Sequence, residues 1–106
     1  LGVVSSSCAS EVEPLLRKSA VHSRFDVFVF GDQVNQHKPH PEPYLTALAH
    51  VNAMSATQID ASQCLVVEDS QPGIAAGEAA GMNVRAVSTH HEVVAALEAA
   101  YSEISI

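Results

Sequence analysis

The sequence has few basic residues and no basic run. Five lysines and arginines stand against twelve aspartates and glutamates among 106 residues, which gives a formal net charge of −7. Because so acidic a chain repels phosphate backbones, we expect no nucleic acid as a general partner. The sequence also lacks a signal-peptide pattern and an apolar stretch long enough to span a bilayer, so we expect no membrane partner.

Cysteine is scarce as well. Cys8 and Cys64 are far apart and form neither a CxxC pair nor a disulfide framework, which favours a reducing, cytoplasmic location. Charged residues make up only 16% of the chain, below the usual quarter, whereas hydrophobic residues make up 47%. This length and hydrophobic content allow one small domain with its own core.

Four short apolar runs alternate with four helical patterns. The predicted strands cover residues 2–5, 27–30, 65–68 and 84–87, and the predicted helices cover residues 10–19, 42–52, 73–80 and 92–100. Continuously apolar strands separated by helices indicate a parallel sheet with helices on both faces. The predicted fold class is therefore α/β, a Rossmann-like, three-layer arrangement.

Several residues mark the ends of these elements. Ser10 is predicted to cap the first helix, Pro72 to lie in the first turn of the third helix, and Gly81 to end that helix in a left-handed conformation. Residues 37–43 contain three prolines and are predicted to form a stiff loop. Tyr44, directly after this loop, is predicted to be a packing residue.

The chain opens directly into an apolar strand at Leu1, with no methionine and no polar lead-in. Native termini are normally solvated and frayed. We therefore expect residues 1–106 to be part of a longer protein.

Two adjacent carboxylates, Glu68 and Asp69, end the third predicted strand. In open α/β sheets ligands bind beyond the carboxyl ends of the strands, and Mg²⁺ often takes one or two carboxylates together with waters and a substrate phosphate. One acid would suffice to cap the next helix, so the second acid favours a metal site. Gly73 and Gly77 are predicted to let that helix approach the strand closely. Each glycine costs about 1 kcal/mol in helix propensity relative to alanine, so helix formation alone does not explain them.

Two other segments could bind phosphate. Ser5 and Ser6 follow the first strand, where a hydroxyl group and successive backbone N–H groups can cradle an anion. Capping of the next helix is the more ordinary role for such serines. Lys38 lies among prolines and could meet a phosphoryl oxygen as a point charge. Taken alone, however, it is more simply interpreted as an exposed loop lysine.

Taken in order, these segments resemble the haloacid dehalogenase superfamily, and specifically its β-phosphoglucomutase-like phosphatase branch. The resemblance covers nearly the whole chain and is carried by V-V-S-S-S at 3–7, F-D-V-F-V-F-G-D at 25–32, K-P-H-P-E at 38–42 and V-V-E-D-S-Q-P-G-I-A-A-G-E-A-A-G-M at 66–82. It implies a Mg²⁺-dependent phosphatase that hydrolyses a small phosphorylated metabolite, with a sugar phosphate as the favoured class, through an aspartyl-phosphate.

The resemblance also implies a role for each candidate residue. Ser5 would bind the phosphoryl group, assisted by the N–H of Ser6, and Lys38 would bridge the phosphate and the nucleophile. Glu68 and Asp69 would hold Mg²⁺, with Asp69 as the direct ligand and Glu68 acting through water.

The family's first motif, D-x-D-G-T, and its cap domain are absent from residues 1–106. That motif supplies the nucleophilic aspartate, and its strand lies between those carrying Ser5 and Glu68 in the family. We therefore expect the C-terminal portion of a core domain that lacks the nucleophile strand, is inactive alone and needs the upstream segment of the same protein. The alternatives are a phosphomutase of the same branch and a non-enzymatic α/β module; the acid pair argues against a metal-independent dehalogenase.

Overall fold

Short strands alternate with helices along the chain. The computed structural model describes residues 1–17 and 25–88, with Glu92 and Ala95, except for the side chains at positions 12, 13, 15 and 16. The elements are β1 (Gly2–Val4), α1 (Ala9–Arg17), β2 (Val27–Val29), α2 (Glu42–Met54), β3 (Leu65–Glu68), α3 (Gln71–Ala79) and β4 (Asn83–Ala86), with 3₁₀ turns at Gly31–Gln33 and Ala61–Gln63. The predicted helix at 92–100 lies outside the described residues apart from Glu92 and Ala95.

The strands are paired in parallel. β1 pairs with β2, placing Val3 beside Phe28, and β3 pairs with β4, placing Val66 beside Val84. The predicted α/β class and the parallel strands are confirmed. The described strands form two two-stranded sheets, however, and the division falls between β1 and β3. The family resemblance expects the nucleophile-bearing strand at this place.

The two strand pairs share one core. Helix α2 packs on β1 and β2, α3 packs on β3 and β4, and the two helices contact each other. The buried cluster contains Tyr44, Val66, Ala76 and Ala80, and Val4 of β1 packs against it. Apolar burial therefore joins β1 to β3 although no ladder of backbone hydrogen bonds does so among the described strands.

Pro72 and Gly81 lie at the two ends of α3 as predicted, although the helix begins at Gln71 and not at Gly73. Ser70 is its N-cap and its Oγ accepts a hydrogen bond from the Gly73 N–H at 3.2 Å, while Pro72 lies in the first turn. Gly81 follows the helix with φ +80°, and its N–H donates to the Glu78 carbonyl at 3.0 Å. Only glycine adopts that conformation without strain, so the prediction for Gly81 is confirmed.

Helix α1 begins differently from the prediction. It starts at Ala9, so Ser10 lies inside the helix and the prediction that Ser10 caps it is wrong. The N–H of Ala9 donates to Oδ1 of Asp32 at 3.1 Å. The cap is therefore supplied by the turn after β2, a contact between residues 23 positions apart.

Among the described helices, none is long and apolar enough to cross a membrane. Both cysteines are free: Cys8 is exposed, and Cys64 is half-buried just before β3.

Candidate functional site

Lys38 joins the carboxyl ends of β1 and β3. Its Nζ donates to the carbonyl oxygen of Val4, the last residue of β1, at 3.1 Å and to Oε2 of Glu68, the last residue of β3, at 2.5 Å. The side chains of Lys38 and Glu68 are only 11% and 9% exposed. The interpretation of Lys38 as an exposed loop residue is therefore wrong, because the ion pair is largely shielded from water.

The carboxylate of Glu68 is surrounded by donors. Besides Lys38, the hydroxyl of Tyr44 donates to Oε2 at 2.6 Å, and the N–H of Asp69 donates to Oε1 at 3.2 Å. Burial by itself would raise the pKa of Glu68, but the hydrogen bonds from Lys38 and Tyr44 and the positive charge of Lys38 outweigh it, so its pKa lies below the ordinary value. Glu68 is therefore held as a buried, ionised group.

Tyr44 contacts both members of the ion pair. Its buried ring lies 5.1 Å from Nζ of Lys38, and burial, reinforced by the neighbouring negative charge of Glu68, raises its pKa strongly. It therefore acts as a neutral hydrogen-bond donor. The sequence prediction of a packing residue is correct but incomplete. The sequence did contain a sign of this second role: Tyr44 is an aromatic residue with a hydroxyl group in the first turn of the helix that follows Lys38.

The loop that carries Lys38, residues 37–41, is fixed by Glu42 at the start of α2. The Glu42 carboxylate accepts hydrogen bonds from the backbone N–H groups of Asn35 and Gln36, the latter at 3.2 Å. The Glu42 N–H in turn donates to Nδ1 of His40 at 3.0 Å. These bonds and the prolines, one of them in a cis Lys38–Pro39 bond, place Lys38 at the site. Sequence reasoning did not identify this role of Glu42.

Helix α3 lies very close to Glu68 because of its glycines. A Cβ atom at Gly73 would lie 2.0 Å from Cδ of Glu68, and one at Gly77 would lie 2.8 Å from a methyl group of Val84. Real Cβ contacts are not that short. The prediction that these glycines permit close approach is therefore confirmed, and Gly73 makes room for the Glu68 carboxylate itself.

The serine loop, defined here as residues 5–7, follows β1. The N–H of Ser5 donates to the Val29 carbonyl at 2.9 Å, and Oγ of Ser5 accepts from the N–H of Ser7 at 3.2 Å. Since Asp32 caps α1, the interpretation of these serines as its caps is wrong. Ser5 is adjacent to Val4, whose carbonyl oxygen accepts a hydrogen bond from Lys38. Among the described hydrogen bonds, none joins a side chain of the serine loop directly to Lys38.

Asp69 follows Glu68 and is exposed. Because Ser70 caps α3, the acid pair is not needed as a helix cap. No group of three or more His, Cys, Asp and Glu side chains is placed to hold a metal within the described part of the chain. The donor set nevertheless suits Mg²⁺, which needs only one or two carboxylates beside waters and phosphate. Asp69 is the more available ligand, since Oε2 of Glu68 is occupied by Lys38 and Tyr44.

Comparison with known proteins identifies the family. The family model for haloacid dehalogenase-like hydrolases matches residues 1–87, so the chain belongs to this family. A phosphorylated carbohydrates phosphatase from Thermotoga maritima is 37% identical over 82 residues, which cover 77% of this chain and 35% of the relative. A phosphoglycolate phosphatase from Salmonella choleraesuis is 37% identical over 81 residues, covering 76% of this chain and 30% of the relative.

Solved structures agree with this membership. A crystal structure from Thermotoga maritima, assigned as a β-phosphoglucomutase, matches with a TM-score of 0.71 and 35% identity, covering 79% of this chain and 37% of that one. The predicted relation to the β-phosphoglucomutase and phosphoglycolate phosphatase branch is thereby confirmed. The chain spans less than half of the length of each of these relatives.

Proposed function

We propose that the full-length protein is a Mg²⁺-dependent phosphatase that hydrolyses a small phosphorylated metabolite, and that this metabolite is a sugar phosphate. The observation that carries the proposal is the shielded Lys38–Glu68 ion pair at the carboxyl ends of β1 and β3. A fixed cation beside a serine loop and an exposed carboxylate is what phosphoryl transfer requires, because catalysis there depends on positioning and charge stabilisation. The names of the relatives from Thermotoga and Salmonella support a phosphate ester as substrate.

The nucleophile in this proposal is an aspartate on an upstream segment of the same protein. The division of the sheet between β1 and β3 and the greater length of the relatives support a further strand at that place. The aspartate oxygen forms a bond to phosphorus while the ester oxygen leaves, taking a proton from a second aspartate of the same upstream segment that acts as general acid. Water then attacks the phosphorus of the aspartyl-phosphate, which releases inorganic phosphate and restores the carboxylate. Residues 1–106 alone would therefore be inactive.

The described residues supply the charge stabilisation for this reaction. The Ser5 hydroxyl uses its oxygen to accept from Ser7, which leaves its O–H group to donate to a phosphoryl oxygen. The N–H of Ser6 has no hydrogen-bond partner among the described residues and can donate beside it. The ammonium group of Lys38, already bridging two strand ends, neutralises charge on the transferring group.

Asp69 would hold Mg²⁺ directly, and Glu68 would act through water. When bound, the ion would offset negative charge on the phosphoryl oxygens. Glu68 has a second role in the proposal, because it fixes the position of Lys38. The free cysteines suit the predicted cytoplasmic location.

The decisive experiment measures phosphate release by the full-length protein from a panel of phosphate esters. Lys38→Ala should lower kcat/KM by about 100-fold or more, the usual effect of removing one group that stabilises transition-state charge. Arg85→Ala removes an equal charge from exposed β4 and should leave kcat/KM nearly unchanged. An unaltered kcat/KM in Lys38→Ala would contradict the assignment.

A folding control accompanies this test, because Lys38→Ala leaves the Glu68 carboxylate buried without its cation. The double variant Lys38→Met/Glu68→Gln removes both charges together. It should retain native circular dichroism and still lack activity. If the double variant folds and is active, Lys38 has only a structural role.

A phosphomutase of the same branch is the second candidate. The match to the Thermotoga structure assigned as a β-phosphoglucomutase favours it. The two functions differ in the final acceptor of the phosphoryl group, which is water in a phosphatase and a sugar hydroxyl in a mutase. Incubation with a hexose 1-phosphate separates them, since a mutase yields a sugar phosphate isomer and a phosphatase yields inorganic phosphate.

A further inference from the structure

The turn Gly31–Gln33 follows β2 and lies directly against the serine loop. The N–H of Gly31 donates to the carbonyl oxygen of Ser7 at 2.8 Å. A Cβ atom at Gly31 would lie 2.0 Å from the carbonyl oxygen of Ser6 and 2.8 Å from its carbonyl carbon. Only a residue without a side chain can stand this close to the Ser6 peptide.

Asp32, the next residue of this turn, caps α1 by accepting the hydrogen bond from the Ala9 N–H. Helices usually take their caps from residues immediately before them, and the serine loop contains three suitable hydroxyl groups. Because Asp32 performs the capping, the serines are released from it. The Ser5 hydroxyl and the Ser6 N–H remain able to donate elsewhere.

We infer that Gly31 and Asp32 are positioning residues for phosphate binding: Asp32 caps α1 in place of the serines, and Gly31 packs against the Ser6 carbonyl and binds the Ser7 carbonyl, so that the donors of the serine loop face the phosphoryl group. This inference rests on the proposed function and extends it to a turn for which the sequence analysis gave no role. Neither residue is a catalytic residue, since both act through the serine loop.

The role of Asp32 depends on an oxygen acceptor and not on its charge. Asparagine and aspartate are about equally good N-caps, whereas alanine cannot accept the bond. Asp32→Asn should therefore behave like the wild type, and Asp32→Ala should not. This pattern differs from that of a metal ligand or a general base, for which asparagine would also fail.

The experiment uses the full-length protein, with inorganic phosphate as a competitive inhibitor of phosphate ester hydrolysis. For Asp32→Ala we expect KM and the inhibition constant of phosphate to rise together by about tenfold, a change equivalent to about 1.4 kcal/mol of binding. We expect kcat to change much less, and Asp32→Asn to restore both constants. Glu78→Ala, which removes an exposed acid from α3, should leave them unchanged.

A glycine variant provides an independent test. Gly31→Ala should raise the inhibition constant of phosphate in the same direction, because its Cβ must displace the Ser6 peptide. Gly2→Ala is the matched control on the same strand pair. Its Cβ would meet the nearest atoms at 3.4 and 3.6 Å, an ordinary contact, so phosphate inhibition should be unaffected.

Three outcomes would overturn the inference. If Asp32→Ala melts at a lower temperature but keeps the wild-type inhibition constant, the cap serves stability alone. If Asp32→Asn loses kcat as fully as Asp32→Ala, the charge of Asp32 takes part in the chemistry. A wild-type protein that neither hydrolyses phosphate esters nor is protected against unfolding by phosphate would overturn the proposed function together with this inference.

Discussion

The hydroxyl group of Tyr44 donates a hydrogen bond of 2.6 Å to Oε2 of Glu68, the same oxygen that receives the ammonium group of Lys38. Both donors therefore hold one side of the carboxylate. The other oxygen, Oε1, lies within 3.2 Å of the Asp69 N–H and 3.4 Å of the Ser70 hydroxyl. Glu68 is thus fixed in orientation from both sides before any ligand binds.

Removal of this hydroxyl group should be costly. Tyr44→Phe keeps the ring beneath Lys38 but leaves the buried Glu68 carboxylate with one donor fewer. We expect the free energy of unfolding in urea to fall by about 1.5–3 kcal/mol, the usual worth of a hydrogen bond to a charged group. Tyr44→Leu should lower the free energy of unfolding further, since it also removes the aromatic ring. A Tyr44→Phe variant as stable as the wild type would contradict the role of the hydroxyl group.

Gly73→Ala should destabilise the protein even though alanine is the better helix former. The new methyl group would meet the Glu68 carboxylate, and such overpacking costs about 1–3 kcal/mol. Alanine gains only about 1 kcal/mol in helix propensity. Thermal and urea unfolding measure the net change in the free energy of unfolding. A net stabilisation would mean that Glu68 does not pack against the first turn of α3.

Mg²⁺ affinity should depend on Asp69. We expect Asp69→Asn to weaken Mg²⁺ binding by at least about tenfold, and Glu68→Gln to weaken it less if it acts through water, in line with the effects of outer-shell ligands. Calorimetric titration of the full-length protein without substrate gives both values. Asp60→Asn removes another exposed acid and serves as the control for non-specific binding. Equal, small losses in all three variants would favour the non-enzymatic module.

Alkylation of Cys64 should require a higher pH than alkylation of an ordinary thiol. Burial raises the pKa of the Cys64 thiol, and only the thiolate reacts. In a Cys8→Ser variant, the rate of reaction with iodoacetamide should therefore increase over a pH range above about 8.5, the ordinary thiol value. The same shift stabilises the folded state below the unfolded pKa, and this contribution is lost as pH rises through the folded pKa. A rate that reaches its plateau near neutral pH would contradict this prediction.

The parts of the fold that follow from local chemistry could be predicted from the sequence. Apolar runs indicated the strands, and Gly81 and Pro72 marked the ends of α3 because their backbone preferences are intrinsic. The cap of α1 could not be predicted in the same way. Asp32 lies beside Ala9 because β2 pairs with β1, and no local sequence pattern around Ser10 indicates so distant an acceptor.

The candidate site was predicted as a set of residues but not as a set of contacts. The family resemblance brought Ser5, Lys38, Glu68 and Asp69 to one edge of the sheet. It did not distinguish an exposed lysine from a shielded one, since that depends on α2 and on the prolines before it. Nor could sequence alone show the Tyr44 hydrogen bond, because phenylalanine would satisfy the same packing pattern.

Each strand pair is built from strands that follow one another in the chain, so each is a compact β–α–β unit with its own short-range topology. The Lys38–Glu68 contact belongs to neither unit alone, because Lys38 follows the first unit in the chain and Glu68 ends the first strand of the second. The contact therefore forms only when the two units are docked, so a substitution that separates them would abolish it. Under the proposed function, activity would then require that docking, since neither unit supplies both residues of the ion pair.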